Sequence, residues 1–485
     1  MKINNVRVWL LLAAMALLMA PSHAESQMET DWALGSWNGT LIAGTMQLAI
    51  LFNITRGDDG IPGGTMDVPT QGMVGLALST VDIGDGKITL TFPVPGGGSY
   101  EGTRNEDGSG ISGTFTQAGQ AFPMKLEFSG AATTPPQRPQ EPKPPFPYSV
   151  ENVSITNAAA DVVLAGTLTL PPGSGPFPGV VLVSGSGPQD RDETLLGHKP
   201  FWVLADYLTR QGIAVLRYDD RGVAESTGSF ATATSEDFAS DATAGVTFLA
   251  AHANVAADRV GIAGHSEGGI VGPMAASRSD AVAFVVMLAG PGVTGLEILV
   301  EQGRLINEAA GTPAEIVDLN ARIQSSLAEI VSRVSDPTAA APLLREAMRS
   351  EIDKLTPEIR EMAGEGLGDA AIDQTVQQMN SPWFRFFLHY DPRPALEATR
   401  VPVLALIGGK DLQVPAEQNI PEITAAFERG GNSDATVRTL PGLNHLFQEA
   451  GTGSPAEYQQ IEQTMSPIAL EVVGNWIVER FGAHR

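Results

Sequence analysis

The amino-acid sequence predicts an α/β fold, in which helices flank a mostly parallel sheet, preceded by a small all-β domain. From about residue 148 onward, strand-like apolar runs alternate with helix-like segments, which is typical of a parallel sheet covered on both faces. Residues 28–130 instead hold short, partly alternating apolar runs between glycine-rich turns, which favours antiparallel strands. A proline-rich segment, 131–147, separates the two parts.

The first 24 residues are organised like a secretory signal peptide. Lys2 and Arg7 precede an apolar stretch from Val8 to Ala20 that is too short to span a bilayer comfortably. Small residues then stand at positions −3 and −1 of a cleavage site after Ala24. We expect a cleaved leader and a secreted or periplasmic protein with no membrane span in its mature chain.

Composition narrows the possible chemistry. The 485 residues carry a formal net charge of −25 and include no cysteine. Because an acidic surface repels phosphate backbones, we expect no nucleic-acid partner. The lack of cysteine excludes disulfides, thiolate nucleophiles and Cys-ligated zinc.

The domain that spans 28–130 is predicted to be a small antiparallel barrel or sandwich. Its strand candidates include MQLAILFNIT, KITLTFPV and FPMKLEFSG, and turn sequences such as RGDDG and NEDGSG separate them. The segment 131–147 follows, with seven prolines between Pro135 and Pro147. Such a run favours extended polyproline II structure, so we interpret it as a semi-rigid spacer.

The domain that spans 148–485 begins with two antiparallel strands and continues with six strands of the alternating pattern. These six are GVVLVSGSG, IAVLRYDD, RVGIAGHS, AFVVMLAG, VPVLALIGGKD and ATVRTLPG. Between the fourth and the fifth lie roughly a hundred residues, about 291–395, which are mostly helical by composition. A structureless loop of that length would contradict the assignment, so we predict a helical insertion above the sheet, a candidate lid.

The stretch GIAGHSEGGI contains the strongest chemical signal. Gly264-His265-Ser266-Glu267-Gly268 fits the G-x-S-x-G pattern of a nucleophile elbow, and it follows a buried strand and opens a helix. The flanking small residues let strand and helix approach each other, so that the serine hydroxyl is held above the sheet. This context makes Ser266 the candidate nucleophile.

A serine nucleophile needs a base, which in this chain order follows it. The three histidines after Ser266 are His389, His445 and His484. His484 is the penultimate residue, and His389 precedes the next strand. His445 follows the last predicted strand and is therefore at the same sheet edge as the elbow, which makes it the candidate base.

The acid that orients the base is expected at the end of the preceding strand. Asp411 stands there, after the two glycines of VPVLALIGGKD. Asp391 precedes that strand, and Asp434 precedes the last one, so both competitors fall at the wrong end of the sheet. A turn aspartate without a catalytic role is the alternative for Asp411.

Two backbone N–H groups are expected to stabilise an oxyanion. The residue after the nucleophile, Glu267, supplies one. Ser186, in the loop after the strand GVVLVSGSG, is the choice for the other, with Gly187 as the alternative.

The Glu267 side chain is interpreted as complementing the helix dipole. The charged loop residues are interpreted as ion pairs that pin the loops around the site: Asp190, Arg191, Asp192, Asp219, Asp220 and Arg221.

These motifs together resemble the secreted bacterial esterases of the α/β-hydrolase superfamily that carry an extra N-terminal domain. The resemblance covers roughly 150–485 and rests on LAGTLTLPPG, VLVSGSGPQDRDE, GIAGHSEGG, PVLALIGGKDLQVP and GLNHLFQ. It implies a Ser-His-Asp carboxylesterase with Ser266, Asp411 and His445 at the triad positions. Ala224 departs from the pattern, since glycine is expected in RGVAEST.

The sequence therefore predicts a secreted serine esterase that hydrolyses small acyl esters without a metal or organic cofactor. A serine peptidase or acyltransferase on the same triad is one alternative, and a non-catalytic binding protein that uses the β-domain is another. Aromatic residues from Trp383 to Tyr390 are expected to line an acyl pocket. Each methylene of the acyl chain adds about 0.8 kcal/mol of binding free energy until such a pocket is full. The resemblance suggests that the preferred acyl chains have about two to six carbons. The oligomeric state stays open.

Overall fold

The computed structural model describes residues 31–43, 46–57, 60–68, 73–94, 97–117, 119–131, 137–357, 360 and 368–482. The predicted signal peptide, 1–24, lies outside the described residues. The chain divides into two compact units, one ending at Pro135 and the other comprising Pro136–Arg485. None of the helices in the described ranges combines the length and the apolar character that crossing a bilayer requires.

The N-terminal unit is an antiparallel β-domain, as predicted. Within the described ranges, nine strands form one sheet in the order β4-β3-β2-β1-β9-β8-β7-β6-β5. Alternate side chains point to an apolar core that includes Trp37, Phe52, Tyr100 and Phe115. The strands are β1 Gly35–Ala43, β2 Met46–Arg56, β3 Pro62–Val68, β4 Met73–Ala77, β5 Thr80–Gly84, β6 Lys87–Phe92, β7 Gly98–Arg104, β8 Gly110–Gln117 and β9 Gln120–Gly130.

The second unit contains an eight-stranded sheet in the order β10-β11-β13-β12-β14-β15-β16-β17. The first two strands join it antiparallel, and the other six run parallel, as the sequence predicts. All six carboxyl ends therefore open at one edge. The strands are β10 Ser149–Asn157, β11 Val162–Leu170, β12 Phe177–Val183, β13 Ala214–Tyr218, β14 Val255–His265, β15 Val285–Leu288, β16 Val403–Gly408 and β17 Ala435–Leu440.

Helices cover both faces of this sheet. In β12, Val181 and Val183 join one apolar core while Val180 and Leu182 join the other, because successive side chains of a strand alternate between faces. One core includes residues of α2 Ser235–Ala250, α3 Gly268–Ala276 and α10 Ala416–Gly430; the other includes residues of α1 Pro200–Arg210 and α12 Pro467–Phe481.

The long gap between β15 and β16 is helical, as its composition predicts. Its helices share an apolar cluster of their own, which includes Leu327, Val331, Leu344 and Val376. They are α4 Gly295–Ala309, α5 Ala314–Arg333, α6 Pro337–Asp353, α7 Asp369–Met379, α8 Pro382–His389 and α9 Arg393–Ala398. A short helix, α11 Pro455–Tyr458, follows β17.

The described part of the proline-rich segment, 137–147, is held against the second unit by specific hydrogen bonds. The Arg138 guanidinium donates to the main-chain oxygens of Gln459 and Ile461, each at 2.8 Å. The Gln140 carboxamide donates to the Met465 oxygen at 2.7 Å and accepts from the Thr464 N–H at 2.6 Å. This part is therefore a docked strap of the second unit, which proline content alone does not reveal.

Candidate active site

Ser266 occupies a sharp turn between β14 and α3. Its φ is +51°, in the left-handed region that side-chain-bearing residues rarely adopt, and its N–H donates to the Leu288 oxygen at 2.8 Å. The flanking residues must be glycine, because a side chain would clash with the backbone. A Cβ on Gly264 would lie 1.9 Å from the Gly268 oxygen, and one on Gly268 would lie 2.1 Å from the Val183 oxygen. The turn thus has the geometry that the motif predicts.

His445 and Asp411 form a buried hydrogen-bonded pair. Asp411 follows β16 and His445 follows β17, and His445 Nδ1 lies 2.8 Å from Asp411 Oδ2. The other carboxylate oxygen of Asp411 accepts from the N–H groups of Gln413 and Val414, both at 2.8 Å. Three hydrogen bonds hold the carboxylate, and the pairing at Nδ1 leaves Nε2 of His445 as the ring nitrogen available for proton transfer.

Ser266 and His445 line the same cavity, of about 240 Å³. One wall comes from the ends of the strands and includes Ser186 and Gln413. The opposite wall comes from the helical insertion, through Ile298, Leu299, Gln378 and three aromatic residues: Trp383, Phe384 and Phe387. The Trp383 and Phe387 rings stack, with centroids 5.2 Å apart. The site is therefore a small cavity in which an aromatic cluster from the insertion and the polar groups at the strand ends line the same space.

The loop after β12 passes close to the serine. A Cβ on Gly185 would lie 3.1 Å from the Cβ of Ser266, so only glycine fits there without displacement. Within the described residues, the N–H groups of Glu267, Ser186 and Gly187 have no hydrogen-bond acceptor in the protein. Glu267 and either of the other two thus remain the candidate oxyanion donors.

The Glu267 side chain does more than complement a helix dipole. It is only 3% exposed, and its Oε1 accepts from the Ser235 hydroxyl at 2.5 Å and from Trp383 Nε1 at 2.8 Å. Burial raises the pKa of this carboxyl, against the opposing effect of hydrogen bonds from Ser235, Trp383 and Ser186. Glu267 thereby connects the elbow, the loop after β12 and the helical insertion.

Sequence reasoning overlooked Glu193 and His265. Glu193 Oε1 accepts from the Gly185 N–H at 2.7 Å and lies 2.8 Å from His265 Nδ1. On its other side, His265 Nε2 lies 3.0 Å from the main-chain oxygen of His445. The available signal was the position of His265, directly before the nucleophile at the end of a buried strand.

Most of the charged loop residues form the ion pairs expected of them. Arg191 pairs with Asp219 at 2.6 Å, Arg221 pairs with Asp241 at 2.7 Å, and Asp192 pairs with Arg217.

Asp220 and Asp190 accept hydrogen bonds from nearby loop residues instead. Asp220 is buried and accepts from the Ser184 hydroxyl and the Gln189 N–H; its burial, with the nearby carboxyls of Glu267 and Glu193, raises its pKa well above the usual range. Asp190 accepts from the N–H groups of Asp192 and Thr194.

The competing residues lie elsewhere. His389 ends α8, where its ring nitrogens face the Arg385 oxygen at 2.7 Å and the Ser332 hydroxyl at 2.8 Å. Asp391 pairs with Arg393, and Asp434 pairs with Arg480; His484 lies outside the described residues. Across the described ranges, no cluster of three or more acidic or histidine side chains is arranged to hold a metal ion.

Residues 180–458 match the model of the alpha/beta hydrolase family. The chain is 28% identical over 381 residues to esterase EstD of Thermotoga maritima, covering 78% of this chain and 79% of that protein. Among solved structures, esterase Pf2001 of Pyrococcus furiosus is 15% identical with a TM-score of 0.39, covering 69% of this chain and 94% of that one. The alpha/beta hydrolase GrgF of Penicillium sp. sh18 is 16% identical with a TM-score of 0.43, covering 69% and 99%.

Proposed function

The chain belongs to the alpha/beta hydrolase family, and we propose that it is a serine carboxylesterase acting on short-chain acyl esters. The observation that carries the proposal is the arrangement at one cavity: Ser266 on a left-handed turn, and His445 with its Nδ1 hydrogen-bonded to Asp411 at 2.8 Å. The similarity to esterase EstD favours an ester as the substrate.

In the proposed reaction, the Ser266 hydroxyl oxygen attacks the carbonyl carbon while its proton passes to His445 Nε2. The N–H groups of Glu267 and of Ser186 or Gly187 donate to the carbonyl oxygen, which becomes negatively charged. His445 then returns the proton to the departing alkoxide, which leaves as the alcohol. Asp411 keeps the imidazole in the required tautomer and stabilises its transient charge.

Deacylation repeats these steps with water as the nucleophile. Water gives a proton to His445 and its oxygen adds to the acyl carbon; the tetrahedral intermediate then expels the Ser266 oxygen, which takes the proton back from His445. The products are the carboxylic acid and the free enzyme. Every proton transfer in this cycle joins the substrate or water to the side chains of Ser266 and His445, which both line the cavity.

The size of the cavity supports a small acyl group. Pockets for drug-sized ligands usually measure about 300–1,000 Å³, whereas this cavity has about 240 Å³ and is lined on one side by Trp383, Phe384 and Phe387. We propose that the acyl chain lies against these aromatic side chains, where each methylene gains about 0.8 kcal/mol of transfer free energy until the space is full.

Replacement of the nucleophile and of the base tests the proposal. We expect Ser266→Ala and His445→Ala each to lower kcat for p-nitrophenyl butyrate by about 10³-fold or more, the loss typical of a removed triad member. His389→Ala is the matched control, because its ring contacts Ser332 and Arg385, and it should keep the wild-type rate. Loss of activity in His389→Ala together with full activity in His445→Ala would contradict the assignment.

Two further measurements separate the rival activities. A fluorophosphonate should label wild-type protein at Ser266 and leave Ser266→Ala unlabelled, which a non-catalytic binding protein would not do. Turnover of matched acyl esters and amides then distinguishes an esterase from a peptidase on the same triad, and a rate increase with added alcohol would indicate acyl transfer. We expect ester hydrolysis to dominate.

We further propose that the protein is exported, on the strength of its first 24 residues. Expression of the full chain in a bacterium with a standard secretion system should deliver a mature protein to the periplasm or the medium. N-terminal sequencing of that protein should begin at Glu25. Retention of the intact leader in the cytoplasmic fraction would contradict the proposal.

A further inference from the structure

Glu193 has a backbone conformation that needs an explanation. Its φ is +53°, and left-handed conformations of residues other than glycine cost about 1–3 kcal/mol and concentrate at functional sites. The residue closes a turn in which its N–H donates to the Asp190 oxygen at 2.9 Å. Its side chain is only 4% exposed, so the strained turn directs a carboxyl into the interior beside the cavity.

One oxygen of this carboxyl joins two parts of the site. Glu193 Oε1 accepts from the Gly185 N–H at 2.7 Å and lies 2.8 Å from His265 Nδ1. His265 Nε2 in turn lies 3.0 Å from the main-chain oxygen of His445. The contacts form a continuous chain, Gly185 to Glu193 to His265 to His445, which runs from the loop after β12 to the loop after β17.

The partners of His265 indicate its protonation state. A carbonyl oxygen only accepts hydrogen bonds, so Nε2 must carry a proton to bond to His445. A carboxylate also only accepts, so Nδ1 carries a proton as well when Glu193 is ionised. Two donating ring nitrogens define an imidazolium, and its positive charge is balanced by Glu193 at 2.8 Å.

The surroundings of His265 agree with a charged ring. Burial alone would lower the pKa of His265, but the charge and hydrogen bond of Glu193, the His445 oxygen and the charge of Asp411 together raise that pKa. The His445 ring lies beside it, with centroids 4.8 Å apart and planes inclined by 50°. The ring thus lies between the Glu193 carboxylate and the candidate base.

We propose that Glu193 and His265 are positioning residues for the esterase reaction, a buried ion pair that holds the oxyanion loop and the main chain of the base in one geometry. The inference rests on the proposed function. Neither side chain exchanges a proton with the substrate; the pair acts through Gly185 and His445. The two loops it joins follow β12 and β17, which are separated in the sheet by β14, β15 and β16, so no ladder hydrogen bond joins the two strands directly.

The first test reads the protonation of His265 without any substrate. In protein labelled with ¹⁵N-histidine, nitrogen and proton spectra at pH 7.5 should show one histidine with both ring nitrogens protonated, although an unperturbed histidine, with a pKa of about 6.5, is mostly neutral at that pH. The signal should disappear in His265→Gln and in Glu193→Ala. Spectra of folded wild-type protein with no doubly protonated histidine would overturn the proposal.

The second test is kinetic. Removing the carboxyl in Glu193→Ala should lower kcat for p-nitrophenyl butyrate by about 10²-fold, the loss that a misplacement of about 1 Å produces, while KM stays within about twofold. Glu193→Gln keeps an oxygen that can accept from Gly185 and His265, so it should retain a kcat within about tenfold of wild type. A kcat for Glu193→Ala equal to that of wild type would overturn the proposal.

A control separates positioning from loss of stability. Asp206→Ala removes a carboxylate within α1 that accepts from the Tyr148 hydroxyl at 2.6 Å and pairs with Arg210 at 2.8 Å. It should lower the melting temperature without lowering kcat at a temperature where the protein is folded. If Asp206→Ala and Glu193→Ala lost kcat equally, the role of Glu193 would be structural only. If Glu193→Ala does not fold, the proposal is tested by kcat of Glu193→Gln and by the wild-type histidine spectra, with the outcomes stated above.

The two proposals fail in different ways. A wild-type protein that neither hydrolyses esters nor reacts with a fluorophosphonate would refute the proposed function, while the histidine spectra would still confirm or refute the ion pair. An active wild type whose Glu193→Ala variant keeps full kcat would refute only the positioning role.

Discussion

At the scale of single residues, the site depends on close approach as much as on chemistry. Ser266 has a φ of +51°. The backbone of the turn can pack this closely only because Gly264 and Gly268 have no side chain. A similar constraint applies at Gly185, which faces the Cβ of Ser266. The backbone at Ala224, where the family resemblance favours glycine, also has a positive φ, of 45°, which explains that preference physically.

Gly264→Ala is expected to destabilise the second unit and abolish activity. The new Cβ would lie 1.9 Å from the Gly268 oxygen, a backbone atom that cannot move without distorting the elbow, and such overpacking costs on the order of 3 kcal/mol. Gly84→Ala is the control, since its Cβ would meet nothing within 4 Å. Urea unfolding and esterase assays check both; a stable, active Gly264→Ala would refute the close approach.

His198 is expected to make stability depend on pH. Its ring is fully buried between the Tyr458 oxygen at 2.9 Å and the Thr464 hydroxyl at 3.1 Å, and burial lowers the pKa of His198 to about 4. The unfolded chain, with a pKa of about 6.5, binds the proton first, so the free energy of unfolding falls as pH drops from about 6.5 toward 4, by up to about 3 kcal/mol.

Urea unfolding of wild type and His198→Gln at pH 7 and pH 4.5 measures this dependence. The variant should be less stable than wild type at pH 7 and should lose less stability on acidification. An equal loss in both proteins would show that other groups, such as the paired carboxylates, account for the whole acid effect.

At the scale of elements, α8 connects the helical insertion with the elbow. Trp383 lies at its start, stacks on Phe387, and donates from its indole nitrogen to Glu267 at 2.8 Å. The same helix contributes Phe384 and Leu388 to the apolar cluster of the insertion. One helix therefore both packs the insertion and provides the apolar wall of the cavity.

Trp383→Ala is expected to shift the acyl-chain optimum toward longer chains, because removing the indole enlarges the cavity. Trp383→Phe keeps an aromatic wall but loses the donor to Glu267, so it should keep an optimum close to that of wild type with a lower rate. Phe386→Ala is the control, since Phe386 stacks on Tyr390 and does not line the cavity. A series of p-nitrophenyl esters from two to twelve carbons measures the optimum; an unchanged optimum in Trp383→Ala would place the acyl group elsewhere.

At the scale of the whole molecule, the chain forms two compact units with separate cores. The boundary falls between Pro135 and Pro136, within the proline-rich segment 131–147. The described part of that segment is docked to the second unit through Arg138 and Gln140, which bond to main-chain groups between residues 459 and 465. Tyr148 adds a hydrogen bond to Asp206 at 2.6 Å.

Two truncations test this boundary. Deletion of residues 25–135 should leave a folded and active second unit, because each unit has its own core. Deletion of 25–147 should also leave Ser266, Asp411 and His445 in place but should give a protein that unfolds at a lower temperature, since the hydrogen bonds of Arg138 and Gln140 to residues 459–465 are lost. Equal melting temperatures for the two proteins would show that the strap contributes nothing, and an insoluble product from both would show that the units depend on each other.

Local pattern and chain order determined the fold class and the candidates for the reaction. Alternating strands and helices indicated the parallel sheet, the G-x-S-x-G turn selected Ser266, and the order of elements after it left Asp411 and His445, because residues that follow parallel strands meet at one edge. Each of these inferences needs only neighbouring residues and the rule that parallel strands share an orientation.

Only the tertiary structure decided the contacts that join distant segments. Glu193 and His265 are 72 positions apart, Glu267 and Trp383 are 116 apart, and His265 and His445 are 180 apart. No periodicity or motif encodes such pairs, since they depend on the order and register of the strands and on how the helical insertion packs over them. For the same reason, composition does not predict that the strap at Arg138 is docked. The prolines predict an extended chain, whereas the docking depends on main-chain carbonyl groups of Gln459 and Ile461, more than 300 residues away.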